Sequence, residues 1–227
     1  MRISIYESEK KDCSNMSFVG MHNTKEGIIA FADSKATIQY NNGFETEDTK
    51  RGKINKVFKN DKFICVTHGN NELFSSKNKI NIEEYFHKEL PKNENYEAFF
   101  INLYTKLFID TPEYNDGIYN FIIGSKDCNN RYYIICLKFD VNVTDLKKGI
   151  ESLKNQFSHR DYSFKTYYAG NKSFVDIYDI YPKYNDLNIA SYSSQIKESL
   201  TLLIKSFNTV NRAYCSVGLP VIVKIFK

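Results

Sequence analysis

Tryptophan is absent from this 227-residue chain, and only four histidines occur. Neither His22 nor His68 stands at a metal-ligand spacing from any Cys, Asp or Glu, so both read as structural or surface residues and no metal is called for. The five cysteines, Cys13, Cys65, Cys128, Cys136 and Cys215, are odd in number and scattered, without a C-x-x-C pair. That excludes a disulfide framework or zinc knuckle and predicts reduced thiols in a cytoplasmic protein. No apolar run approaches the length that spans a membrane. The start, Met1 to Lys11, turns charged before a hydrophobic region can form, which excludes a signal peptide. Like charges do not cluster: Lys+Arg 31 against Asp+Glu 27 leaves +4, well interspersed, with no nucleic-acid footprint. There are no internal repeats and no low-complexity tract.

What is present suffices for a substantial core. Hydrophobic residues make up 42%, and aromatics 15%. The length suits one compact domain, expected over 17–227 behind a leader or extension at 1–16. Residues 1–15 are polar after a brief Ile-Ser-Ile-Tyr alternation, which fits a short edge strand, a removed leader or an upstream extension. Apolar runs rich in Val, Ile and Phe then follow at Ser17–Met21, Gly27–Ala32, Lys53–Phe58 and Phe63–Gly69, bounded by Gly, Asn, Asp or Lys. They predict consecutive short strands, several buried on both faces. Residues 38–52 read as an exposed loop.

From Ile82 the period becomes helical. Ile82, Tyr85, Phe86 and Leu90 follow the possible cap Asn81, and Pro91 stops the run. Tyr96–Ile109 is the next predicted helix, with a wide apolar face. Strands return at Tyr119–Gly124, Arg131–Leu137 and Phe164–Gly170, while 140–163 is polar and carries no assigned element. Ser194–Tyr214 predicts a long helix and Val221–Ile225 a final strand. The order is a layered α/β arrangement.

Within this order, Asp33-Ser34-Lys35-Ala36-Thr37 closes one strand, Lys56-Val57-Phe58 opens another, and Gly69 ends a third. The pattern resembles the proteasome-type peptidases, a branch of the N-terminal-nucleophile (Ntn) hydrolases that includes the bacterial two-component peptidase. That resemblance implies a four-layer αββα sandwich, two stacked and mainly antiparallel sheets between helices. It also implies peptide-bond hydrolysis without a cofactor, a peptide or unfolded-protein substrate, and a homo-oligomer in rings or smaller assemblies. No nucleic-acid or membrane partner is expected.

The family's chemistry needs a hydroxyl nucleophile whose own α-amine, titrating near pH 8, serves as the base. A lysine beside it lowers the amine's pKa by like-charge repulsion, and a carboxylate orients that lysine. By resemblance Lys56 and Asp33 form this pair, Gly69 donates its N–H to the oxyanion, and Ser216 matches a supporting serine. Taken singly, Asp33 is a strand-end turn former and Lys56 a solvated charge; their order with Gly69 is what makes a site. An ungapped count back from Asp33 puts the nucleophile at Ser17, exposed by self-cleavage after Met16 or by ordinary removal of that methionine. One gap, aligning Val19-Gly20 with the family's valine-glycine pair, puts Met16 in the slot and leaves no nucleophile. Cys13 sits too far ahead of the strand to serve. The family's late glycine turn carries a serine where this chain has Gly170-Asn171-Lys172-Ser173, and the family's catalytic aspartate before the last strand falls on Ala213. The alternative to a peptidase is therefore a catalytically degenerate subunit with a structural or interaction role. A small-molecule amidase is a third reading.

Overall fold

The computed structural model describes residues 17–35, 37–39, 45–47, 52–69, 72–74, 79–110, 118–141, 143–170, 172–180, 187–210 and 217–227. Two four-stranded antiparallel sheets lie face to face between layers of helix. The first pairs β1 (Phe18–Asn23), β2 (Ile28–Ala32), β11 (Thr166–Gly170) and β12 (Ile222–Phe226) in the order β11-β1-β2-β12. The second pairs β5 (Val57–Lys59), β6 (Phe63–Gly69), β9 (Ile118–Lys126) and β10 (Tyr132–Asp140) in the order β10-β9-β6-β5. The expected four-layer αββα sandwich is the observed fold.

Side-chain alternation along the strands explains why both faces of each sheet are apolar. In β1 and β2, Val19, Met21, Ile28, Ala30 and Ala32 meet Ile64, Val66 and Ile122 of the second sheet. The intervening Phe18, Ile29 and Phe31 point outward onto α4 (Lys172–Ile180) and α5 (Ile189–Val210), against Phe174, Tyr178, Leu200 and Ile204. Phe63, Phe121 and Ile135 of the second sheet likewise turn to α1 (Ile82–Glu89), α2 (Tyr96–Asp110) and α3 (Leu146–Ser158). A fully buried aromatic such as Phe18 (0% exposed) stabilises by several kcal/mol; truncation to Ala costs about 3–5 kcal/mol.

The rims of the sandwich are tied as well. Lys59 Nζ on β5 donates to the Ile225 carbonyl on β12 at 2.9 Å, and Lys224 Nζ on β12 donates to the Val57 carbonyl on β5 at 2.8 Å. This reciprocal pair places charge on two edge strands, which discourages pairing with other chains. At the opposite rim, Asp161 bridges to Ile134 of β10, and its carboxylate accepts from Tyr167 of β11, from Lys165 Nζ at 2.6 Å and from Ser163 N at 2.8 Å.

Several elements differ from expectation. Helix α3 lies in 140–163, where none was assigned. Its apolar residues recur at helical spacing: Gly149, Leu153 and Phe157 are buried, and Leu146 and Ile150 pack partly buried beside them, so the amphipathic pattern was present in a segment whose majority of residues read as polar. Asp145 caps it, accepting from Lys147 N at 2.8 Å. Helix α4 was also unassigned. Helix α5 begins at Ile189 rather than Ser194, its start fixed by Asn188 Oδ1 accepting from Ser191 N and by Glu26 accepting from Ile189 N. The loop expected over 38–52 holds a small ladder between β3 (Thr37–Gln39) and β4 (Glu45–Glu47). A second short ladder pairs β7 (Glu72–Phe74) with β8 (Lys79–Asn81). The strand expected from Lys53 is regular only over Val57–Lys59; Lys53 itself makes an isolated bridge to Lys35.

Candidate functional site

Where β2 ends, the chain turns through Asp33, Ser34 and Lys35, all at the rim of the gap between sheets. Asp33 is 0% exposed, and its two oxygens take four hydrogen bonds. Oδ1 accepts from Phe18 N at 2.8 Å and from Lys56 Nζ at 2.8 Å. Oδ2 accepts from Lys35 N at 2.9 Å and from Gly218 N at 3.1 Å. One carboxylate therefore joins the head of β1, the end of β2, the approach to β5 and the approach to β12. Backbone bonds reinforce the knot: Asp33 N donates to Phe18 O at 2.9 Å, Ser34 N to Gly218 O at 3.3 Å, and Ile54 N to Ser34 O at 2.9 Å.

Lys56 is also 0% exposed, so its ammonium depends on protein partners. It forms the ion pair with Asp33 and donates a second bond to the Lys35 carbonyl at 2.9 Å. An ammonium has three donors; among the described residues the third has none. The Lys56 carbonyl accepts from Thr67 N at 3.1 Å, which fixes the lysine against the end of β6 two residues before Gly69. Gly69 has φ +84, a left-handed conformation favouring glycine, and it is exposed at the strand end. Ser34 Oγ, buried beside the knot, has no partner among the described residues.

Ser17 stands immediately ahead of β1 and is buried, 4% exposed. Its peptide bond leads into Phe18, whose N–H is held by Asp33. Alternation from Val19 and Met21, both facing the second sheet, puts the Ser17 side chain on the same inward side. Gly170, φ +117, pairs with Phe18 and lies against Ser17; a Cβ there would overlap the Ser17 carbonyl oxygen. Ser17, Asp33 and Lys56 thus stand together at one end of the inter-sheet gap, and Gly69 ends β6 two residues beyond the Thr67 amide that Lys56 O accepts from. Met16, Cys13, Ala213 and Ser216 lie outside the described residues, as does Asn171.

Sequence reading set aside one neighbour of this group. His68, half-buried, precedes Gly69 on β6. Burial and the nearby Lys56 ammonium push its imidazole down to about 4, so it is neutral at pH 7. Its signal in the sequence was adjacency to the glycine, which spacing rules for metal ligands do not register. His22, by contrast, hydrogen-bonds Thr166 Oγ1 and packs edge-on against Tyr192 at 5.0 Å, away from the cluster. Among the described residues, no group of three His, Cys, Asp or Glu side chains is arranged to hold a metal. Nor is any described helix long and apolar enough to cross a membrane.

No protein-family model matches the chain, and no curated protein matches it. Solved structures do. Anbu (ancestral beta-subunit) from Yersinia bercovieri is similar over 92% of this chain and 81% of its own, with a TM-score of 0.51 at 12% identity. An Anbu mutant from Hyphomicrobium sp. strain MC1 covers 93% of this chain and 82% of its own, at 15% identity and a TM-score of 0.46. Identity this low speaks for the fold alone. The architecture is proteasome-like, that of the Yersinia ancestral beta-subunit.

Proposed function

We propose that this chain is an Ntn hydrolase that cleaves peptide bonds with Ser17 as an N-terminal nucleophile, after residues 1–16 are removed. The observation that carries this reading is the fully buried Asp33–Lys56 ion pair hydrogen-bonded to the first amide of β1. A buried ion pair contributes little to stability relative to apolar residues of the same volume. Its retention at the head of the strand that carries a serine is more economically explained by chemistry.

In this mechanism the freed Ser17 α-amine takes the Oγ proton as Oγ attacks the scissile carbonyl. Lys56, held charged by Asp33 and Lys35 O, disfavours a charged amine at its side and keeps it available as a base. The Gly69 N–H donates to the oxyanion, and the ammonium of the α-amine returns its proton to the leaving amine. Water then hydrolyses the acyl ester by the same route in reverse. No cofactor enters. The proposed location is cytoplasmic. Ile177 on α4 and Leu202 on α5 are 40% and 62% exposed, apolar area that a second copy would cover in a homo-oligomer.

A second reading is supported by the burial of Ser17, which leaves little of its side chain open to a substrate. Under it the chain keeps the scaffold as a structural or interaction subunit. Hydrolysis of a fluorogenic peptide panel by wild type and Ser17→Ala, read together with intact mass, separates the two. Activity lost in Ser17→Ala from a chain starting at Ser17 supports the peptidase. A stable chain retaining Met1 with no turnover supports the subunit.

A further inference from the structure

His68 belongs to β6, whose residues alternate between the helical layer and the opposite sheet. Phe63 and Cys65 face the helices; Ile64 and Val66 face the first sheet. His68 continues the Ile64–Val66 row, so its imidazole is directed into the inter-sheet gap. The end of β6 is fixed to Lys56 by the Thr67 N to Lys56 O bond, and Lys56 is fixed to the head of β1 through Asp33. That chain of contacts brings His68 and Ser17, by the same alternation, to the same mouth of the gap from opposite sheets. Among the described residues no hydrogen bond engages the imidazole.

We infer that His68 is a second oxyanion donor beside the Gly69 N–H, a catalytic residue of the proposed peptide hydrolysis, for which its imidazole supplies an N–H. The inference rests on the peptidase reading. A neutral imidazole can polarise a carbonyl by hydrogen bonding without giving up its proton, and an environment that opposes the imidazolium suits that role. Among the described residues the charge that acts on it is the Lys56 ammonium, itself paired with the Asp33 carboxylate. The same environment suits a proton acceptor poorly, because a base works best when its pKa is near the operating pH. The step leaves the imidazole unchanged: Ser17 Oγ bonds to the carbonyl carbon, the oxygen becomes anionic between His68 and Gly69, and the proton stays with the amine.

The test compares the second-order rate of Ser17 labelling by a fluorophosphonate, whose phosphoryl oxygen occupies the oxyanion position, in wild type, His68→Ala and His68→Gln. Loss of one oxyanion donor predicts roughly a hundred- to a thousand-fold slower labelling in His68→Ala. His68→Gln, which keeps a neutral N–H donor, is expected to recover part of that loss. Wild-type labelling with an unchanged rate in His68→Ala overturns the inference and leaves the peptidase reading standing. A glutamine variant as slow as alanine, with both variants folded by circular dichroism, also overturns it. Absence of wild-type labelling on a chain that starts at Ser17 overturns both. An independent readout is the imidazole's own titration by NMR: in Lys56→Met it should move upward, and no movement counts against the ammonium's role at this imidazole.

Discussion

Replacing Asp33 by alanine removes the acceptor of four hydrogen bonds in a volume from which water is excluded. The largest consequence is the stranded Lys56 ammonium, since breaking one partner of a buried ion pair costs about 3–5 kcal/mol. The amides of Phe18, Lys35 and Gly218 also lose their acceptor, and a buried donor left unsatisfied costs about 1–3 kcal/mol. These costs do not add fully, because water can enter the vacated space. A loss of about 4–7 kcal/mol follows, a large part of the ~5–15 kcal/mol typical of a folded domain. Lys56→Met should cost less, about 3 kcal/mol, because the three amides still compensate the Asp33 charge. The double variant Asp33→Ala/Lys56→Met should then be more stable than Asp33→Ala alone, since the stranded ammonium is gone. Urea unfolding followed by far-UV circular dichroism at pH 7 gives all three values. Single variants each within about 1 kcal/mol of wild type, as for an exposed pair, would refute the reasoning.

Gly170→Ala should destabilise and abolish any Ser17 chemistry together, because a Cβ would overlap the Ser17 carbonyl at a φ of +117; a melting temperature within a degree of wild type counts against this packing. His68 provides a pH signature. Its folded pKa of about 4 lies below the unfolded value of about 6.5, so the unfolded chain binds the extra proton first. Stability contributed by this group is therefore complete above pH 6.5 and falls through the interval to pH 4, by at most about 3 kcal/mol. His68→Gln should flatten that part of the stability–pH curve, and an identical acid slope in the variant would contradict it. Thiol reactivity should divide by burial: burial raises the Cys65 thiol and pushes Cys136 up to about 11, whereas Cys128 is exposed. Brief alkylation at pH 8, mapped by mass spectrometry, should mark Cys128 ahead of the other two; equal labelling would count against the buried placement.

The strands of the inner layers were the most legible part of the chain. Ile28–Ala32 and Phe63–Val66 are continuous apolar runs because both of their faces are covered, and a run apolar on both faces has few other uses in so short a segment. Helix α2 was equally plain, with its phenylalanines and leucines on a wide face. Helix α3 was not: Leu146, Ile150, Leu153 and Phe157 recur at helical spacing, but they are outnumbered by the polar residues between them, which gave the whole segment a polar reading. Within the candidate site, Asp33, Lys56 and Gly69 were proposed from a family resemblance carried by their order along the chain, and the structure joins Asp33 and Lys56 in an ion pair. What no local pattern carries is the closure of the knot by Gly218 N, 185 residues from Asp33. The place of His68 was hidden for a related reason: the inward row of β6 becomes visible only when its register with β5 and β9 is known.

A peptide epoxyketone tests the central claim most directly, because its warhead closes a ring only with an amine and a hydroxyl carried by the same residue. Mass spectrometry of the treated protein should find the adduct on Ser17 as the first residue, dependent on both Lys56 and Asp33. A chain that begins at Ser17 and stays unmodified, or an adduct at any other residue, would contradict the account.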